Sequence, residues 1–197
     1  YQKTKEKIIV VGAGAAAYRF LQSFREKNEI DKIEVFSKAE YPFYNRVLLP
    51  EYVNADLPWE ALQKLKVGEL EKLNVTLHGE NGISQINPVQ KTVIDEKGIE
   101  HQYDKLIVAT GSRAFIPSDV RLDLPGRFTM RERNDADRLK HYLQETGLPN
   151  EQQHVVIVGG GLLGLELAAA LKKKEVNISI IQRAPRLMER QLDLVAS

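Results

Sequence analysis

The chain has 197 residues, with 28 Lys+Arg against 27 Asp+Glu, 43% hydrophobic residues and a formal net charge of +1, enough for one large domain or two small ones. So even a balance gives no general pull toward nucleic acid or an anionic membrane, and any anion must be held by local geometry. No cysteine is present, which excludes a redox disulphide, a Cys-ligated zinc, an iron–sulphur cluster and a cysteine nucleophile from this segment and leaves redox chemistry to a bound cofactor.

The charged start, Tyr1 to Lys7, runs directly into four aliphatics, Ile8-Ile9-Val10-Val11, the pattern of a strand buried on both faces of a parallel sheet. No long apolar stretch or small-residue cleavage site precedes them, so a cytoplasmic protein is expected. The best membrane candidate, Ile8 to Ala17, is broken by Gly12 and Gly14 and falls short of the ~20 residues a span needs. A glycine turn, a helix from Ala15 to Phe24 and a strand from Ile33 to Phe36 complete a first strand–helix–strand unit. Trp59 to Leu73 has helical period; Val75 to His78, Gly82 to Ile86, Lys91 to Ile94 and Gln102 to Ala109 read as strands, the last three punctuated by Asn87-Pro88 and Lys97-Gly98 as a small antiparallel set. Within them Leu106 to Ala109 reads as a buried strand returning to the first sheet. Pro117, Pro125 and Gly126 mark an irregular connection over 115–129, where a domain boundary is expected. A helix from Asp135 to Gln144, capped by Asn134, precedes a second unit: strand Val155 to Val158, glycines, helix Leu162 to Lys172, strand Asn177 to Ile181. The fold class expected is α/β, two Rossmann-like units with parallel sheets plus an antiparallel meander, divided into domains 1–114 and 115–197. With no initiating Met and an ending at Ala196-Ser197 soon after a strand, an incomplete segment of a longer polypeptide is expected.

The two glycine loops carry the chemistry. Gly12-Ala13-Gly14-Ala15-Ala16-Ala17 reads G-x-G-x-x-A, and Gly159 to Gly164 reads G-x-G-x-x-G. In such a loop the first glycine permits the tight turn, the second lets a pyrophosphate approach the backbone, and a small third residue seats the helix on the strand. The free N–H groups and positive dipole end of each helix favour the anion. An acidic residue about 20 positions on ordinarily holds the ribose hydroxyls. After the first loop the strand ends Ser37-Lys38-Ala39, so that Glu40 is either a slightly late ribose ligand or an exposed loop carboxylate. After the second it ends Gln182-Arg183, where Arg183 suits a ribose phosphate or is a surface arginine. The four histidines are scattered without metal-ligand spacing and are read as structural or solvated.

These motifs, with Tyr44-Asn45-Arg46, Leu106 to Ser112 and Gly159 to Glu166, stand in the order found in two-dinucleotide flavoproteins. The chain therefore resembles the pyridine nucleotide-disulphide oxidoreductase superfamily over nearly its whole length. Tyr44 to Leu49 and Ala184 to Asp193 are most similar to the flavoprotein part of NAD(P)H-dependent nitrite reductase large subunits, with rubredoxin reductases close behind. The resemblance implies FAD on the first loop, at Gly12, Gly14, Ala15 and Ala17, with Asn45 and Arg46 on the flavin side and Thr110, Gly111 and Arg113 closing over it. It implies NAD(P)H on the second, at Gly159, Gly161, Leu162 and Gly164, and Glu166 as the acidic residue where nicotinamide meets flavin, against its alternative as a solvated or capping glutamate. Without cysteine, the disulphide, peroxide and CoA-disulphide reductases of the family are set aside. Several ferredoxin reductases resembling this chain carry a lysine shortly after the matching arginine, whereas here Glu51 follows Arg46 by five residues, which favours the nitrite-reductase-like branch.

The implied activity is hydride transfer from NAD(P)H to FAD and onward electron transfer to an acceptor. That acceptor is an iron–sulphur or siroheme centre, or rubredoxin or ferredoxin in the alternative reductase reading; a homodimer is compatible with either. A non-catalytic dinucleotide-binding sensor is the rival from another class. Because hydride transfer needs no protein nucleophile, a chain without a catalytic triad suits the redox reading.

Overall fold

The aliphatic run forms β1 (Lys7–Val11), and β2 (Lys32–Phe36) pairs parallel to it. Outside β2 lies β3 (Val75–His78), and on the other side of β1 lies β7 (Lys105–Val108), all parallel, in the order β3-β2-β1-β7. Alternation along β1 divides its side chains between two faces. Ile8 and Val10 join Ala17 and Leu21 of α1 (Ala15–Arg25) in one apolar cluster; Ile9 and Val11 join Phe36 and Val93 in another. Val93 belongs to the antiparallel meander of β4 (Ile83–Asn87), β5 (Thr92–Asp95) and β6 (Glu100–Gln102). The expectation of a strand covered on both faces is thus met by α1 on one side and the meander on the other. The α1 end is tied down by Arg25, whose guanidinium donates to the carbonyls of Asn28, Asp31, Leu73 and Asn74 at 2.5–3.0 Å.

The structure, a computed structural model, describes residues 5–118, 120–189, 191–193 and 195; the expected chain end at Ala196-Ser197 and Arg190 of the 184–193 motif lie outside them. Two units result, Tyr1–Asn45 with Gln63–Arg113, and Arg46–Leu62 with Ala114–Ser197. The first 114 residues expected as one domain therefore include a segment, Arg46–Leu62, that packs with the later unit. Its helices α2 (Leu49–Asn54) and α3 (Trp59–Leu62) lie in that unit, α2 against both α5 (Arg133–Glu145) and α6 (Leu162–Lys172). A clip holds them there: Arg133 stacks on Trp59 at 4.1 Å and pairs with Asp137 at 3.1 Å, while the Tyr52 hydroxyl donates to Asp137 at 2.5 Å. The second unit's sheet, among the described residues, is the parallel pair β8 (His154–Val158) and β9 (Asn177–Ile181).

Three local expectations are corrected. The single helix over Trp59 to Leu73 is two one-turn helices, α3 and α4 (Glu69–Lys72), because the backbone between is spent elsewhere: Gln63 bridges Tyr44, Lys64 N–H donates to the Phe43 carbonyl at 2.8 Å, and Gly68 turns at φ +75°. The strand over Gln102 to Ala109 is broken at Tyr103-Asp104, where the Lys7 N–H donates to the Asp104 carboxylate at 2.7 Å and the chain changes sheets. Helix α5 starts one residue before Asn134: Glu132 is its cap, in a reciprocal capping box with Asp135, so Asn134 already lies inside the helix.

Candidate functional site

In the first unit the chain runs from β1 outward to β2 and β3 and then returns to β7 on the opposite side of β1. The carboxyl ends of β1 and β7 therefore flank the point where strand order reverses, the crevice at which open parallel sheets bind ligands. The first glycine loop occupies that place. Gly12 turns at φ +104°, and a Cβ on it would run into the Ala109 carbonyl at the end of β7, so both conformation and space demand glycine. Its N–H donates to the Phe36 carbonyl at the end of β2, and the Phe43 N–H donates to the Ala13 carbonyl, at 2.8 and 2.7 Å. Gly14 is the cap of α1, with no side-chain cap bond, and a Cβ there would meet nothing within 4 Å. Open space lies beside a helix start with uncapped N–H groups, which is what an oxyanion requires. Ala15 opens α1, and Ala17 is fully buried against the sheet. Thr110 crosses beside Gly12, followed by Gly111 at φ +71°; Thr110, Gly111 and Arg113 are exposed. Asn45 and Arg46 are half-buried at the junction where the chain leaves this unit. Glu40 sits exposed in the bend after β2.

The second loop repeats this geometry. Gly159 turns at φ +117° and donates to the Ile181 carbonyl at the end of β9, 2.8 Å away. Gly161 caps α6 in extended backbone without a side-chain cap bond and has nothing within 4 Å of an added Cβ. At the third position the loops part: a Cβ on Gly164 would strike the Gly159 carbonyl and approach Ile157 to 3.3 Å. Leu162 opens α6 and is half-exposed. On the next turn, Glu166 has a buried carboxylate oxygen, Oε2, with no partner among the described residues, a state shared by Glu51 Oε2 and Asn54 Oδ1 on the neighbouring α2. An orphaned acceptor in the helix that follows the loop suits a group that arrives with donors of its own. Arg183 is exposed just beyond β9.

Sequence reasoning missed a buried polar network in the first unit. Glu34 on β2 is almost fully buried yet bonded to Lys32 at 2.7 Å, Lys7 at 3.2 Å and His78 at 3.2 Å. Burial by itself raises its carboxyl pKa, but hydrogen bonds from the two lysines and their charges prevail and bring it to about 2. Across the Phe36 ring, which stacks on His78, His101 bonds the buried Asp95 at 3.0 Å. That bond, opposed by burial and aided by the Ile99 N–H, Asn81 and the Lys97 N–H, holds Asp95 far below the usual carboxylate range. The other histidines pair with Glu145 (His141) and Ser179 (His154). Among the described residues no group of three or more His, Cys, Asp or Glu is arranged to hold a metal ion, and no helix is long and apolar enough to cross a membrane. The signal for the network was a glutamate inside a strand of aliphatics, Ile33-Glu34-Val35-Phe36, since a carboxylate is buried only when it is paired.

Residues 6–197 match the family model described as pyridine nucleotide-disulphide oxidoreductase. The chain is 31% identical over 194 residues to an NAD(P)H nitrite reductase of Bacillus subtilis (strain 168), covering 98% of this chain and 23% of that protein. It is 29% identical over 184 residues to the rubredoxin-NAD(+) reductase of Ectopseudomonas oleovorans, covering 93% of this chain and 46% of that one. The crystal structure of NADH:rubredoxin oxidoreductase from Clostridium acetobutylicum superposes with a TM-score of 0.78 at 27% identity, over 98% of this chain and 48% of that one. The chain thus spans less than a quarter of the nitrite reductase and under half of the other two.

Proposed function

The chain belongs to the pyridine nucleotide-disulphide oxidoreductase family, and from that premise we propose that it takes part in an FAD-dependent oxidoreductase that draws hydride from NAD(P)H and passes electrons to a redox acceptor in the manner of nitrite reductase. The observation that carries the reading is the pair of matched glycine loops, each turned by a positive-φ glycine and open beside its helix start. When bound, the coenzymes would supply the chemistry, transfer of a hydride with its two electrons from the nicotinamide coenzyme to FAD. The protein's part is placement. Gly14 and Ala15 would hold the FAD pyrophosphate at the start of α1, where the uncapped N–H groups and the helix dipole would stabilise its charge, while Gly12 makes the turn and the buried Ala17 seats the helix on the sheet. Thr110, Gly111 and Arg113 would close over FAD, with Asn45 and Arg46 toward its flavin side and Glu40 toward its ribose. Gly161 and Leu162 would hold the nicotinamide dinucleotide, Gly159 making the turn and Gly164 letting α6 sit close on it, and Glu166, whose Oε2 has no partner among the described residues, would orient the nicotinamide end. A cytoplasmic setting goes with this use of NAD(P)H. A rubredoxin- or ferredoxin-type reductase is the second reading, supported by the 29% identity to a rubredoxin reductase.

Anaerobic mixing tests the proposal. The purified protein, in the longest form its gene encodes, is expected to carry yellow flavin that one or both nicotinamides bleach. A folded protein that retains no flavin, or whose flavin neither nicotinamide reduces, contradicts the proposal. Nitrite against rubredoxin or ferredoxin as oxidant then separates the two acceptor readings.

A further inference from the structure

We infer that the second loop selects the 2′-phosphorylated coenzyme, so that the electron donor is NADPH rather than NADH. This rests on the reading of the second loop as the nicotinamide site. Gln182 is the first residue beyond β9, half-buried, and its side-chain oxygen accepts the Gly160 N–H at 2.9 Å. The segment that follows folds back over the loop: the Met188 N–H donates to the Gly160 carbonyl at 3.0 Å, and a Cβ on Gly160 would meet Leu187 and, at 3.3 Å, Gln182. Gln182 therefore stands against the loop at the strand end, the place from which a carboxylate would reach the ribose hydroxyls.

A carboxylate there would accept hydrogen bonds from both ribose hydroxyls and would repel a 2′-phosphate. Gln182 does neither. A backbone N–H only donates, so it fixes the amide with its oxygen toward Gly160 and turns the NH2 group, with its two donors, to the other side. A 2′-phosphate offers only acceptors and meets that group without repulsion. Next in the chain, Arg183 is exposed and makes no ion pair among the described residues. A guanidinium whose fork is not already taken by a carboxylate suits a phosphate, which it binds in two-pronged fashion. The neutral glutamine removes the discrimination against phosphate, and the arginine supplies the attraction.

The experiment is equilibrium titration of the protein, in the longest form its gene encodes, with adenosine 2′,5′-diphosphate and with 5′-AMP, which differ only by the 2′-phosphate. The diphosphate is expected to bind about tenfold more tightly or better, as a charge-assisted contact implies, and the gap narrows as salt is raised. Arg183→Ala is expected to weaken the diphosphate while leaving AMP unchanged, and Gln182→Glu to reverse the preference. Equal binding of the two probes, tighter binding of AMP, or an Arg183→Ala variant that weakens both alike overturns the inference while leaving the nicotinamide site standing. Binding of neither probe to folded protein overturns the inference together with the reading beneath it.

Discussion

The two glycine loops are built on one plan and set in different surroundings. Each begins with a glycine near φ +110° that ties back to the end of a second parallel strand, each caps its helix with an extended glycine, and each is followed by an 11-residue helix. Around the first, β1 is covered by α1 and the meander, so that Ile8, Ile9 and Val10 are all but inaccessible. Around the second, β8 has only Ile157 buried, and Val156 and Val158 stand 52% and 78% exposed. The third loop position differs as well, Ala17 against Gly164, because a methyl fits between α1 and its sheet whereas α6 lies so close that a Cβ would hit the Gly159 carbonyl. The same short motif therefore fixes a local turn and an anion-sized opening, while helix-to-sheet spacing and strand burial are set by what packs around it.

Exchanging the third residues gives the sharpest contrast. Gly164→Ala is expected to cost more than about 3 kcal/mol, since backbone must move to admit the methyl, and Ala17→Gly only about 1 kcal/mol; thermal or urea unfolding measures both, and equal costs would mean that the two helices are seated alike. Burial gives the next. Leu21→Ala, in the covered core of the first unit, should lose about 3 kcal/mol, whereas Val158→Ala on the exposed face of β8 should change stability by less than about 0.5 kcal/mol. A large loss at Val158 would show that its face is covered in solution.

The smallest effect is the acid lability of the first unit. Glu34 has its folded-state pKa lowered to about 2, so its contribution is fully present above the unfolded carboxylate range near pH ~4.3 and disappears as pH falls from there through about 2. With its lysine partners 31% and 53% exposed, that contribution is on the order of 1 kcal/mol. Glu34→Gln should flatten the stability profile between about pH 4 and pH 2, and an unchanged slope would remove Glu34 from the network.

Much of this was legible in the sequence because it is local. Ile8 to Val11, the two glycine runs and the helix-forming residues that follow them announce strand, turn and helix within a dozen residues, and α6 and β9 fall where expected. What was hidden depends on partners distant in the chain. Arg46–Leu62 looks like a continuation of the first unit until Arg133 and Asp137 are seen to hold Trp59 and Tyr52. The break at Gln63 arises from a bridge to Tyr44, and two of the partners of buried Glu34, Lys7 and His78, are distant in the chain. For the candidate site, the residues of the loops were readable one by one, whereas the bond from the Gly160 N–H to Gln182 joins residues that no motif links.

The most direct test of the central claim, one dinucleotide on each loop, is a crossed binding measurement of FAD and the nicotinamide coenzyme to two variants of the protein in its longest form, Gly12→Ala and Gly164→Ala. The account predicts that Gly12→Ala abolishes FAD binding while the nicotinamide coenzyme is still bound, and that Gly164→Ala does the reverse. Loss of both ligands in each folded variant, or of neither, would contradict it.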